Sequence, residues 1–287
     1  MTVEPELIAD YACITGEGPL WHPAEQRLYW VDIPQGRLFR YHPASGAHEM
    51  CFEGEPLGGF TIQADGSLLL FMARGAVKVW RAGVFTTLID EIPDERETRF
   101  NDVHADPIGR VYCGTMPTTD RPGHLYRLDL DGTLTKLLEG ISCSNGMGFT
   151  PDLKRLYYTD SGAREIYLFD YDQATGALAN QRLFARIAEE DGLPDGMTVD
   201  AQGYVWSARW DGGCLVRYTP EGALERTIDF PAKKVSSVTF AGPDYTDIYV
   251  TTAGGDNKPA EGPGAGALFH LNLGIRGVPE FPSRVGL

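Results

Sequence analysis

Six times along the chain a short apolar strand, a turn and a second alternating strand recur. They read RLYWVDIPQGRLFRY, SLLLFMARGAVKVW, RVYCGTMP…GHLYRLDL, RLYYTDSGAREIYLFDY, YVWSARWDGGCLVRY and DIYVTTAGG…GALFHLNL. With Leu28, Leu68, Val111, Leu156, Val205 and Ile248 as phase markers, the successive spacings are 40, 43, 45, 49 and 43 residues, a period near 44. A lone sheet of this size cannot bury both faces, so a period of roughly 40–50 with several strands per unit predicts the blades of a β-propeller. Ahead of each marker lies another alternating stretch that ends in a turn cluster such as PAEQ, ADG or DAQG. Each unit therefore reads as an inner strand, two further strands and a variable outer one, with VFTTLI, GTLTKLL and ALERTIDF as outer-strand candidates. The expected architecture is all-β: a single domain over residues 1–287, a six-bladed propeller of four-stranded antiparallel blades around a central channel. The N-terminal LIADYACI is expected to close the ring by joining the last blade. A β-sandwich would account for the strands but not for the period.

Composition narrows the function classes. Lys and Arg number 25 against 40 Asp and Glu, a formal charge of −15. That balance lacks the basic footprint of a nucleic-acid binder and disfavours an anionic membrane surface. The longest uninterrupted apolar run, Leu68 to Ala73, is far short of the roughly 20 residues of a membrane span. The acidic N-terminus does not read as a signal peptide. The five cysteines are odd in number and scattered without a C-x-x-C, which predicts reduced thiols in a cytoplasmic protein.

The repeat has a phase, and the phase points to a site. Counting back 10 or 11 residues from the markers gives Glu17, Gly58, Asn101, Asn145, Asp195 and Ser237. The first strand of every propeller blade lines the channel, so two carboxylates and two amides should converge on one mouth. Carboxylates converging without a cation repel, whereas a bound divalent ion resolves the repulsion. All-oxygen ligation suits Ca²⁺, Mg²⁺ or Mn²⁺ better than a structural zinc. Taken singly, Asn-Gly, Asp-Gly and Glu-Gly would read as ordinary turn pairs.

GEGPLW at 16–21, RFND at 99–102 followed by GTM at 114–116, SNGMGF at 144–149 and PDGMTVD at 194–200 stand in order along nearly the whole chain. With these motifs the sequence resembles the gluconolactonase, regucalcin (senescence marker protein) and luciferin-regenerating enzyme family, in its bacterial sugar-lactonase form. The resemblance implies a six-bladed propeller with one divalent metal in the channel, Ca²⁺ foremost and Zn, Mg, Mn or Fe as alternatives. It implies Glu17, Asn145 and Asp195 as metal ligands and Arg99 and Asn101 as substrate contacts. Thr119 stands where animal members carry an acid, so their substrate preference does not transfer.

The implied activity is hydrolysis of a sugar-acid lactone, with the metal polarising the carbonyl and either Asp195 or a metal-bound hydroxide activating water. Three connections are expected at the metal's face: 116–123, 253–266 and RWDGG at 209–213, where Arg209 and Trp210 would overlook the channel. An Arg beside an aromatic there would suit an anionic, sulfonated or phosphorylated sugar lactone. An organophosphate or ester hydrolase and a non-catalytic calcium-binding propeller are the other readings. No G-x-S-x-G elbow or dinucleotide fingerprint is present. The expected partner is a small sugar lactone, with neither nucleic acid nor membrane, and the expected state a monomer or weak homo-oligomer.

Overall fold

The second strand of every repeat is apolar on both of its faces, and that property sets the architecture. In the computed structural model, which describes residues 4–287, Leu28 and Trp30 pack toward one neighbouring sheet while Tyr29 and Val31 pack toward the other. Successive strand residues point to opposite faces, so a strand between two neighbours must be apolar throughout. The same division holds around the molecule, and six aromatic-rich clusters fill the six gaps between adjacent blades.

The described residues form 24 strands in six four-stranded antiparallel sheets. The inner strands are β2 (Gly16–His22), β6 (Leu57–Ile62), β10 (Phe100–Ala105), β14 (Ser144–Phe149), β18 (Leu193–Val199) and β22 (Val235–Ala241). Each adjoins the next, and β22 adjoins β2, so the ring closes as a six-bladed propeller. The sixth sheet is built from both ends of the chain. Strand β1 (Glu6–Asp10) pairs antiparallel with β24 (Ala267–Asn272), as expected of the N-terminal segment. VFTTLI forms outer strand β9 (Val84–Ile89), and the other two outer candidates are outer strands within a residue or two at each end apart from a three-residue extension to Ile141. Among the described residues helix is confined to three 3₁₀ turns, and no helix is long and apolar enough to cross a membrane.

One element has no counterpart in the repeat. Residues 273–287 run beneath the propeller as a strap. Gly277 donates to the Tyr245 carbonyl, Ala201 to that of Arg276, Ala64 to that of Ser283 and Arg284 to that of Gly109. Phe281 packs on Phe149, and Ser283 Oγ lies 2.7 Å from Thr61 Oγ1. The strap thus ties blades two to six across the channel's far end.

Candidate active site

All six inner strands break register at the same level. The irregularities fall at Glu17/Leu20, Leu57/Gly59, Phe100/Val103, Ser144/Met147, Pro194/Met197 and Val235/Ser237. A bulge re-aims side chains that a regular ladder would send into the sheet faces. Here it turns Glu17, Asn101, Asn145 and Asp195 to the channel mouth. The glycines after Asn145 and Asp195 lie within strands, so these pairs are not turns. A Cβ on Gly146 would stand 2.5 Å from Met197 N, and one on Gly196 would stand 2.2 Å from Ser237 Oγ. Glycine is required there for neighbouring blades to approach.

A cavity of about 330 Å³ opens at this mouth, within the usual range of small-molecule pockets (roughly 300–1,000 Å³). On its wall and floor are Glu17, Arg99, Asn101, Asn145, Asp195 and Trp210. Thr15, Met116, Cys143, Ser161 and Leu193 complete it.

Glu17, Asn145 and Asp195 are all buried. Glu17 Oε2 accepts from Gly18 N at 2.9 Å, and Asn145 Oδ1 accepts from Gly146 N at 3.1 Å. Burial, then the charges of Asp195 and Asp102, push the Glu17 carboxyl well above its usual range. Burial and Asp102 do the same to Asp195, opposed by the Asn145 amide and Gly196 N–H. Asp102, one residue past Asn101, faces the channel below, and burial raises it to about 7 against the pull of Arg99. No Lys or Arg of the described residues forms an ion pair with Glu17, Asp102 or Asp195. Arg99 and Arg209 lower these two acids only from a distance, and two buried carboxylates and an amide oxygen without an ion-pair partner form a donor set that fits a divalent cation, which would offset the desolvation of both acids. No third carboxylate, histidine or thiol joins them among the described residues.

Arg99 donates to the Phe100 carbonyl at 2.9 Å and to Asn101 Oδ1 at 2.7 Å. It forms no pair with Asp102 or Glu97. Asn101 Nδ2 donates to the Ser144 carbonyl at 2.8 Å. Asn101 thus joins Arg99 to the segment that carries Asn145, with one donor and one lone pair still uncommitted. Cys143 Sγ lies 3.6 Å from Met116 Sδ, and burial and Asp195 raise its thiol to about 12, so it stays protonated.

Two expected contacts lie elsewhere. Arg209 is 1% exposed, and its guanidinium reaches Ser207 Oγ, the Ala208 carbonyl and Tyr218 Oη at 2.5, 3.1 and 2.7 Å. Strand β19 (Val205–Trp210) extends through both Arg209 and Trp210. Neighbours on a strand face opposite ways. Trp210 therefore lines the pocket while Arg209 turns into the blade, correcting the expectation that both overlook the channel. Thr119 sits exposed on the 116–123 connection and does not line the cavity. That connection is pinned by Arg121, 2.7 Å from Glu95. Lys234 ties the other two together, through Asp211 at 2.7 Å and Glu261 at 2.6 Å.

The sequence reading missed Thr15, Cys143 and Leu193, which carried an available signal. They stand two residues before Glu17, Asn145 and Asp195, as Arg99 stands before Asn101. A period of two places such pairs on one face.

Known proteins resemble this chain along nearly its whole length. The pentonolactonase XacC of Haloferax volcanii is 50% identical over 295 aligned positions, covering 98% of each chain. Regucalcin of Gallus gallus is 34% identical over 98% of each chain. The crystal structure of a calcium-binding protein, regucalcin, from Agrobacterium tumefaciens superimposes with a TM-score of 0.92 at 26% identity, covering 99% of this chain and 98% of that one. Residues 15–254 match the SMP-30/gluconolactonase/LRE-like region. The chain belongs to the SMP-30/gluconolactonase/luciferin-regenerating-enzyme-like family.

Proposed function

We propose that this protein hydrolyses the lactone of a sugar acid to the free aldonic acid, using a divalent cation held by Glu17, Asn145 and Asp195. The observation that carries the reading is the pair of buried carboxylates, Glu17 and Asp195, left without a cationic partner in a pocket that also holds Arg99 and Asn101. A relative 50% identical over almost the full length is named a pentonolactonase, which supports a five-carbon substrate. When bound, the cation supplies Lewis-acid polarisation of the lactone carbonyl. Ca²⁺ is favoured by the oxygen donor set.

The chain's own residues supply orientation and proton transfer. Trp210, Leu193 and Met116 offer an apolar surface to the ring carbons, while Asn101 receives a ring hydroxyl with its uncommitted donor and lone pair. Arg99 holds guanidinium N–H groups beyond those given to Phe100 and Asn101, and these suit the ring oxygen and the product carboxylate. Asp195 accepts the proton of the attacking water as its oxygen bonds to the carbonyl carbon. When the ring C–O bond breaks, that proton passes to the departing ring oxygen, and a hydroxy acid results. With Arg209 turned into its blade, Arg99 is the one cationic side chain among the described residues that lines the pocket, and a neutral lactone fits better than one with a distal anion.

A pH-stat panel of pentono- and hexono-lactones, run with chelator and with single metals restored, tests this reading. Pentonolactone opening above the uncatalysed background, lost on chelation and restored by one metal, is expected. Turnover indifferent to chelation would remove the cation from the reading, and no turnover of any lactone would remove the activity.

A further inference from the structure

Each blade has one equivalent residue at the point where its second strand ends, and three of the six, Met116, Ser161 and Trp210, line the pocket. Ile33 donates its N–H to the Thr15 carbonyl, Ala73 to Pro56, Met116 to Arg99, Ser161 to Cys143 and Ala253 to Lys234. In the fifth blade Trp210 holds this place, paired with Leu193. Five of these six side chains are apolar: Ile33, Ala73, Met116, Trp210 and Ala253. The exception is Ser161, which lines the pocket beside Asn145 and Asp195.

That serine has an unused hydroxyl. Its backbone is committed, with the N–H on Cys143 at 3.0 Å and the carbonyl accepting from Arg164 at 3.0 Å. Asp160, the preceding residue, accepts from Ser142 N and Cys143 N at 3.0 and 2.9 Å and so fixes the local backbone. Ser161 itself is 5% exposed, yet its Oγ has no hydrogen-bond partner. Four buried side-chain polar atoms share that condition among the described residues: Trp21 Nε1, Gln63 Oε1, Thr159 Oγ1 and Ser161 Oγ. Of these residues only Ser161 lines the pocket. A buried hydroxyl without a partner forfeits the hydrogen bond that water gave it in the unfolded chain. One rotation about its Cα–Cβ bond re-aims it.

We infer that Ser161 is a specificity-determining residue whose hydroxyl exchanges a hydrogen bond with one ring hydroxyl of the bound lactone. The inference rests on the lactonase reading above and deepens it. A serine hydroxyl both donates and accepts, which matches a sugar hydroxyl in either orientation. Of the three equivalent residues that line the pocket, Met116 and Trp210 are apolar, so the Ser161 hydroxyl would report one position of the sugar ring. A site that offers a hydrogen bond to a substrate hydroxyl discriminates against the analogue lacking it.

The test compares wild type and Ser161→Ala on a pentono-1,4-lactone and on its 2-, 3- and 5-deoxy counterparts, with thermal midpoints measured alongside. Wild type should lose about tenfold in kcat/KM on one deoxy lactone, the scale of one lost neutral hydrogen bond. Ser161→Ala should lose a similar factor on the parent lactone, mainly through KM, and nothing further on that deoxy lactone. Its midpoint should be unchanged or higher, because the hydroxyl has no partner in the protein to lose. An equal loss on every lactone, no loss on the parent or a lowered midpoint would overturn the assignment while leaving the lactonase reading intact. Wild type inactive on all of these lactones would overturn both.

Discussion

Gly196→Ala probes how the fold positions the site. The added methyl would lie 2.2 Å from Ser237 Oγ, 2.6 Å from its Cβ and 2.8 Å from its Cα. The hydroxyl can rotate away, but Cα and Cβ belong to the inner strand of the sixth blade and move only with it. Carbon–carbon contacts settle at about 3.5–4.0 Å, so β18 and β22 must separate by roughly 1 Å. Overpacking of this kind costs about 1–3 kcal/mol. At roughly 2–4 °C per kcal/mol for a chain of this class, the thermal midpoint should fall by about 2–12 °C. The larger effect is on function, because Asp195 is the adjacent residue. A displacement near 1 Å at a reacting group costs on the order of 100-fold in rate. Initial-rate lactone hydrolysis and calorimetric Ca²⁺ titration should register the shift together, and adding Ser237→Gly should restore part of both. Gly18→Ala is the contrasting control: no atom lies within 4 Å of its added Cβ, so only its φ of +54° is strained. Wild-type turnover and midpoint in Gly196→Ala would refute the claim that blade approach at this glycine sets the position of Asp195.

Glu17→Gln and Asp195→Asn should each weaken divalent-cation binding by about 100-fold or more, since each leaves a buried ionic partner uncompensated; calorimetric titration that finds wild-type affinity would remove that residue from the ligand set. Glu95 is fully buried, and although burial alone would raise its carboxyl, hydrogen bonds from Arg121, Tyr126 and His124 hold it below the usual range. A depressed folded-state value means stabilisation that is complete above the unfolded value and lost as pH falls through the folded one. The midpoint of wild type should therefore drop from pH 6 toward pH 3 more steeply than that of Glu95→Gln, and parallel curves would contradict the sign. Arg209→Ala should lower the midpoint by several degrees through loss of its contacts to Ser207 and Tyr218, without altering the ratio of neutral to anionic lactone turnover; a changed ratio would return Arg209 to the pocket.

The parts of this molecule legible in its sequence are those governed by periodicity. The second strand of every blade is buried on both sides, so runs such as LLLF at 68–71 stand out, and their spacing gives the blade count. The level of Glu17, Asn101, Asn145 and Asp195 follows from the same count. Other features leave no such trace. The bulge that turns these four side chains inward is a register shift between two strands, visible only once both are paired. The strap over 273–287 is held partly by backbone groups, which almost any residue can supply, and its side-chain anchors Phe281 and Ser283 fall outside the repeat. Arg209 is a different case: adjacency to Trp210 suggested a shared role, although alternation on one strand already separates them. Ser161 needed the repeat aligned at a second level, where its hydroxyl differs from five apolar counterparts.

The pairing of β1 with β24 gives the site a temporal order. Glu17 leaves the ribosome before the other blades, yet its blade has a neighbour on that side only after Asn272 has been made and the last sheet has taken up strand β1. Until that moment the acid has emerged without the structure that later encloses it, and Asn145 and Asp195 reach the same mouth from blades synthesised in between. At the proposed site, cation affinity would therefore report on ring closure. A lesion that loosens β1, far from any substrate, should surface first as a metal-binding defect.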